Sequence, residues 1–176
     1  MQGNTGAQIV GDRQFVTAPA SVTLSNSSTS AQNIFDAAND TLTVLANVTY
    51  RFKARLCFNT GTTSHTTAFG LGGTATFSSI GYEAIATSVA ANTIGVPQMT
   101  PVANSVATAV VLTAASIVAR TDIQIEGIMR VSTAGTIIPQ VTFSAGPTGT
   151  CNTALNSYFE LEPWGSDTIV AVGAWS

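Results

Sequence analysis

The sequence predicts an all-β fold, an antiparallel β-sandwich of jelly-roll-like form with an extended N-terminal arm. Three observations support this prediction. Thr and Val are abundant, whereas Glu, Lys and Leu are scarce, and this balance favours strands over helices. Apolar and polar residues alternate with a period of two in several segments. Clusters of Gly, Pro, Asn and Ser separate these segments at short intervals, as is typical of antiparallel sandwiches.

The first 20 residues are predicted to form the arm, and residues 21–176 the β-sandwich domain. The arm is rich in Gly and Gln and holds few apolar residues, so we expect it to lie outside the core. Its candidate contacts with a partner are Ile9, Val10, Arg13 and Phe15. The run SNSSTS at residues 25–30 is predicted to be a polar loop.

The clearest strand is the segment YRFKARLCF at residues 50–58. Its residues alternate between two faces, with Tyr50, Phe52, Ala54, Leu56 and Phe58 on one and Arg51, Lys53, Arg55 and Cys57 on the other. Residues 41–45 precede it, and a turn at Ala46 and Asn47 would join the two segments as a hairpin. The run NTGTTS at residues 59–64 predicts a turn-rich loop.

The middle of the chain is predicted to hold strands at residues 66–71 and 74–88. Residues 90–105 are expected to form an irregular connection, because they contain Gly95, Pro97 and Pro101. The segment 105–119 is rich in Ala but also in β-branched residues, which favour a strand there.

Four further strands are predicted towards the C-terminus, at residues 122–132, 137–144, 157–162 and 167–175. In the first, Ile123, Ile125, Met129 and Val131 face inward, and in the third Phe159 and Leu161 do so. Pro139 indicates an edge strand or a bulge for the second. The last is apolar on both faces, so it is predicted to lie centrally in a sheet or against a neighbouring subunit.

Charge is unusually sparse, and this bounds the function. Charged residues form 9% of the chain and the net charge is −3, against about 25% charged residues in an ordinary domain. The exterior must therefore be made of Thr, Ser, Asn and Ala, or be covered by other subunits. Without a basic tract, nucleic-acid binding is excluded. No apolar run predicts a membrane span, and no secretory leader is recognised.

The residues that usually carry chemistry are few. His65 is the single histidine, and it lies in a Ser/Thr-rich turn where we expect it to be exposed or packed in a loop. The Gly-rich segment 69–77, FGLGGTATF, precedes a strand and so cannot cradle a phosphate at a helix N-terminus. Cys57 and Cys151 lack zinc-site spacing and are expected to be free thiols, although a disulfide between them stays open. We therefore predict no enzyme activity, no metal and no cofactor.

Half of the basic residues lie on one face of one strand, as Arg51, Lys53 and Arg55. Like charges in such a row need counter-charges. The candidates are Glu126, Glu160 and Glu162, acting across strands or across a subunit boundary. Two of these carboxylates, on residues 160 and 162, could also resemble a glycosidase pair, but a solvated or ion-paired strand face is the commoner arrangement.

Four segments carry a resemblance: residues 37–56, 62–82, 123–150 and 157–176. Their most specific parts are FGLGGTATF, GTIIPQVTFSA and GSDTIVAVGAW. They resemble a β-rich domain of tailed-bacteriophage virion proteins, which occurs in tail-fibre-like and capsid-surface proteins. The resemblance implies a trimeric, protease-resistant module without catalytic residues.

The short arm and the resemblance together predict a homotrimeric capsid decoration protein. Its partners would be itself and the major capsid protein, on a virion surface after synthesis in the host cytoplasm. Candidate interface anchors are Tyr158, Trp164 and Trp175. One alternative is a tail-fibre or receptor-binding tip. Another is a carbohydrate-binding sandwich for a host-surface glycan, with Tyr82 and the three anchors as stacking platforms.

Overall fold

The computed structural model describes residues 13–38, 40–61, 63–90, 93–94, 97–103, 109–115 and 120–166. Within these ranges the protein is all-β, with antiparallel sheets and no helix. The strands, in chain order, are β1 (Gln14–Thr17), β2 (Val22–Thr23), β3 (Gln32–Asn33), β4 (Leu42–Val44), β5 (Val48–Asn59), β6 (His65–Gly72), β7 (Thr76–Ala90), β8 (Thr93–Ile94), β9 (Gln98–Ala103), β10 (Ala109–Ala115), β11 (Arg120–Thr133), β12 (Gly135–Phe143), β13 (Asn152–Thr153) and β14 (Tyr158–Ser166). Accordingly, no helix in the described part of the chain has the length and apolar character that a membrane span requires.

The strands form two sheets. The larger has the order β1-β14-β5-β11-β7-β8, with β9 also paired to β7 and with β13 paired to both β2 and β5. The smaller has the order β10-β6-β12-β3, with β4 paired to another part of β12. The longest ladder joins β11 to β7 and β5, so these three strands form the centre of the larger sheet.

One core lies between the inward faces of the two sheets. Phe69 of the smaller sheet contacts Tyr82 of the larger, with ring centroids 5.7 Å apart, and Phe143 meets Phe58 at 6.4 Å. The alternation predicted for three segments is confirmed, because every residue assigned to their inward faces is buried: Tyr50, Phe52, Ala54, Leu56, Phe58, Ile123, Ile125, Met129, Val131, Phe159 and Leu161. Period-two patterning therefore identified the core face correctly.

The predicted hairpin of residues 41–45 and 50–58 is wrong. β4 pairs with β12 in the smaller sheet, whereas β5 lies in the larger. Asn47, at φ 59°, turns the chain from one sheet to the other. Its N–H donates to the Val131 carbonyl at 2.8 Å, and the Leu45 N–H donates to the Tyr50 hydroxyl at 3.0 Å. The bond to Val131 joins residues far apart in the chain, so no local pattern could reveal it.

Two predictions based on proline also need correction. The connection at residues 90–105 contains β8 and β9, and Pro101 lies within β9 opposite Glu83. Pro139 lies inside β12, which has neighbours on both sides. Its carbonyl accepts from the Ile34 N–H at 3.1 Å. The ring nitrogen of Pro139 points to the same side of β12 as this carbonyl. At this residue β12 passes from its pairing with β4 to its pairing with β3, so the ladder does not need an N–H donor there.

The last part of the predicted arm does not lie outside the core. β1 pairs with β14 at the edge of the larger sheet, and Val16 and Ala18 are buried in the core. β1 has only four residues, and an alternation of this length does not predict a strand from the sequence. Ile9 and Val10 lie outside the described residues, as do the predicted strand at 167–175 and its Trp175.

Candidate functional site

Charge is gathered on the outer face of the larger sheet. Strand alternation and ion pairing bring all six basic residues there, together with five of the nine acidic ones. We call this set the charged face, and its members are Arg13, Arg51, Lys53, Arg55, Glu83, Arg120, Asp122, Glu126, Arg130, Glu160 and Glu162. Among the other acids, Asp36 is exposed, Asp40 is buried, and Asp12 and Asp167 lie outside the described residues.

The register of three neighbouring strands aligns the predicted charge partners. Lys53 on β5 lies opposite Glu126 on β11 and opposite Glu160 on β14. Arg51 lies opposite Glu162. Because side chains alternate along each strand, these residues all point away from the core. Arg51, Lys53 and Arg55, which we call the basic row, therefore lie between carboxylates of β11 on one side and of β14 on the other.

Glu126 is the acid that meets the basic row. The Arg51 Nε donates to its Oε1 at 3.0 Å, and the Lys53 Nζ lies 3.6 Å from its Oε2. The hydrogen bond from Arg51 lowers the pKa of Glu126 below its ordinary value. These side chains are partly or largely exposed, so solvent screens the pairs and they add little to stability.

Glu160 pairs outside the basic row. Its carboxylate lies 2.5 Å from a guanidinium nitrogen of Arg13, just before β1. This hydrogen bond raises the pKa of Arg13 above its ordinary value. Arg55 and Glu162 form no ion pair with any described residue. The structure thus brings together three of the six predicted charge partners and adds Arg13, which the sequence suggested only as an arm contact.

A second charged cluster lies further along the same face and was not predicted. The Arg120 Nε donates to Asp122 Oδ2 at 2.8 Å, and the Cys57 thiol donates to Asp122 Oδ1 at 2.7 Å. Burial opposes ionisation of Asp122, but the bonds from Arg120 and Cys57 leave its pKa lowered. Burial, and then the bond to Asp122, raise the pKa of Cys57. The only feature of the sequence that pointed to this cluster is the alternation in residues 50–58, which places Cys57 on the same strand face as Arg55.

The aromatic candidates separate into exposed and buried groups. Trp164 is 56% exposed, and the Arg51 guanidinium lies 5.5 Å from the centre of its ring. Tyr158 stacks on Phe15 with ring centroids 5.4 Å apart. Tyr82 is buried, and burial raises its pKa to about 12. Because its ring is buried, Tyr82 cannot serve as a stacking platform for a sugar. Tyr82 lies on the inward face of β7, where it contacts Phe52 and Phe69.

His65 is neither exposed nor in a loop, contrary to expectation. It is the first residue of β6 and is only 3% exposed. Its Nδ1 lies 2.8 Å from the Thr63 carbonyl, and its ring meets Phe143 edge-on at 5.1 Å. Its Nε2 is buried and has no hydrogen-bond partner among the described residues. The contacts of this imidazole are thus those of a packed core residue, and none joins it to a nucleophile or to a carboxylate.

A shallow depression of about 400 Å³ lies at the centre of the charged face. Tyr158 stands on one side and Ile85 on the other, and Lys53, Arg55 and Gln124 lie between them. Glu83 and Glu126 complete its rim. Within the described ranges, no group of three or more His, Cys, Asp or Glu side chains is arranged to hold a metal ion.

No family model matches the chain, and no curated protein or solved structure matches it significantly.

Proposed function

We propose that this chain is a non-enzymatic structural protein of a tailed-bacteriophage virion, a homotrimeric decoration protein that stabilises the capsid surface. The observation that carries the proposal is the segregation of charge. Away from the charged face, Asp36 is the one exposed ionisable side chain in the described part of the chain. Surfaces that face water on all sides normally carry charges of both signs throughout.

The outer face of the smaller sheet carries no charged side chain among the described strand residues. On this face β6 and β12 place Ala68, which is already buried, together with Ile138 and Thr142. Ile138 is half-buried, and Val110 on the neighbouring β10 is 40% exposed. Homo-oligomers with closed symmetry cover such faces with copies of themselves. This surface supports the proposal of a trimer in which the smaller sheets face neighbours.

A decoration protein would act by mass action. If it binds the assembled lattice but not the free capsid subunits, its binding free energy stabilises the assembled state. Residues 1–12 lead into β1 at the edge of the larger sheet, a position from which a segment can reach a neighbouring protein. The two antiparallel sheets around one core support the finer proposal of a jelly-roll-like β-sandwich as the outward-facing body.

Immunogold electron microscopy of phage particles that carry this chain tests the proposal. We expect label over the head at regular spacing. Heads stripped of the protein should rupture at lower temperature, and adding the purified protein back should restore their stability. Label confined to tail tips would contradict capsid decoration and support the tail-fibre alternative. A chain absent from particles would overturn both.

A further inference from the structure

We propose that the depression at the centre of the charged face binds a neutral saccharide. It is lined by two cations, Lys53 and Arg55, and two anions, Glu83 and Glu126, so its formal charges cancel. A net-neutral site does not select for an ionic ligand. Its shallow form and its position on a flat sheet suit an extended polar molecule that lies along the surface.

The hydrogen-bonding groups of the depression are not all occupied. Glu126 is engaged by Arg51 and Lys53. Arg55 and Glu83 form no ion pair with any described residue, and both are exposed. One strand, β11, runs between them, which separates their backbones by about 10 Å across the sheet. The site therefore offers a donor and an acceptor on either side of β11, and no described residue forms an ion pair with either of them.

Gln124 lies on β11, the strand between this donor and this acceptor, whereas Glu83 lies opposite Glu126, two residues further along that strand. Gln124 is opposite Arg55 on β5 and opposite Ile85 on β7. Its amide both donates and accepts, and its side chain is exposed. A donor, an amide and an acceptor on three neighbouring strands suit the hydroxyl groups of a sugar, because each hydroxyl also donates once and accepts twice.

An aromatic ring completes the wall of the site. Tyr158 lies opposite Arg55 and is held by its stack on Phe15, so its orientation is set before any ligand binds. The apolar side chain of Ile85 forms the opposite wall. Rings and aliphatic groups of this kind pack on the C–H faces of sugars, while the polar groups between them bind the hydroxyls.

A printed array of neutral hexose oligomers, N-acetylhexosamine oligomers and uronate-containing oligomers tests the inference on the full chain. Calorimetry with the best-bound member then measures the dissociation constant. We expect binding to a neutral oligomer, weakened about tenfold or more by Arg55→Ala and by Glu83→Gln, since each removes a hydrogen bond to a charged group.

Arg130→Ala is the matched control, because Arg130 lies on the same sheet face but does not line the depression. It should bind the oligomer as the unsubstituted protein does. Unchanged unfolding midpoints confirm that the variants fold. No binding at millimolar oligomer, binding only to uronates, or binding unaffected by the substitutions at Arg55 and Glu83 overturns the inference. The site does not depend on the virion role, which the position of the immunogold label decides separately.

Discussion

Gly127 shows how one residue sets the packing of the central sheet. It occupies an inward position of β11, opposite Phe52 on β5 and Tyr82 on β7. A Cβ at this position would lie 2.5 Å from the Tyr82 Cβ and 2.6 Å from the Phe52 Cζ. The two rings meet edge-on there, with centroids 5.9 Å apart. The missing side chain thus provides the space in which two aromatic residues of neighbouring strands make contact.

We predict that Gly127→Ala destabilises the fold by about 1–3 kcal/mol, because the added methyl overfills this contact. Urea denaturation followed by fluorescence measures the change. Gly81→Ala is the control, since its Cβ would meet no atom closer than the Val102 carbonyl oxygen at 3.6 Å. Equal loss of stability in the two variants would contradict the packing argument.

The two cysteines are also governed by their immediate surroundings. Both are buried and free. Burial raises the pKa of Cys151 to about 11 and also raises that of Cys57, where the bond to Asp122 adds to the effect. The thiolate is the reactive form, so both should react slowly in the folded protein.

We predict that a chromogenic aromatic disulfide at about pH 8, near the pKa of an ordinary thiol, labels neither cysteine rapidly in the native protein. In denaturant both should react. Absorbance of the released thiol gives the count, with Cys57→Ala and Cys151→Ala as single-thiol controls. Rapid native labelling would contradict the burial argument, and no reaction in denaturant would indicate a disulfide between them.

At the scale of elements, β1 joins the two sheets. Its backbone pairs with β14 in the larger sheet, and its Gln14 side chain bonds to β4 in the smaller. The Gln14 Nε2 donates to the Thr43 carbonyl at 2.7 Å, and the Thr43 N–H donates to Gln14 Oε1 at 3.0 Å. One amide side chain therefore continues the hydrogen bonding where the two sheets meet.

Truncation distinguishes this strand from the residues before it. Deleting residues 2–12 gives a reference protein in which β1 is intact. Deleting residues 2–18 should lower the midpoint of thermal unfolding clearly below that of the reference, because burial of Val16 alone contributes about 1.5–3 kcal/mol and the contacts of Gln14 are lost with it. Calorimetry of the two proteins gives the comparison. If the longer deletion unfolded at the same temperature as the shorter, β1 would not be part of the stable fold.

At the scale of the whole molecule, the two outer sheet faces differ in kind. The charged face is rich in ion pairs and also holds exposed apolar residues such as Ile128, which is 42% exposed. The outer face of the smaller sheet has no charged side chain among its described residues. This difference in charge is the reason for proposing a neighbouring subunit at the smaller sheet.

We predict a trimer in sedimentation velocity at micromolar concentration, and Ile138→Lys should shift it to monomer by placing a charge in the uncharged face. Ile128→Lys makes the same exchange on the charged face and should leave the trimer intact. Circular dichroism checks that both variants stay folded. A monomeric unsubstituted protein, or a trimer that tolerates both substitutions, would refute the assignment of this face.

The sequence by itself determined the all-β class, the inward faces of the long strands and the row of basic residues on β5. These follow from alternation with a period of two, which is a local property of the chain. It did not reveal β1 as a sheet strand or His65 as a buried residue, because their alternation is short and their neighbours are polar.

Only the tertiary structure decided which strands pair and which charges meet. β4 and β5 are adjacent in sequence yet lie in different sheets, since each pairs with a strand far along the chain. The thiol of Cys57 meets the carboxylate of Asp122 across a separation of 65 residues. Strand pairing depends on how distant segments share one core, and no window of neighbouring residues contains that information.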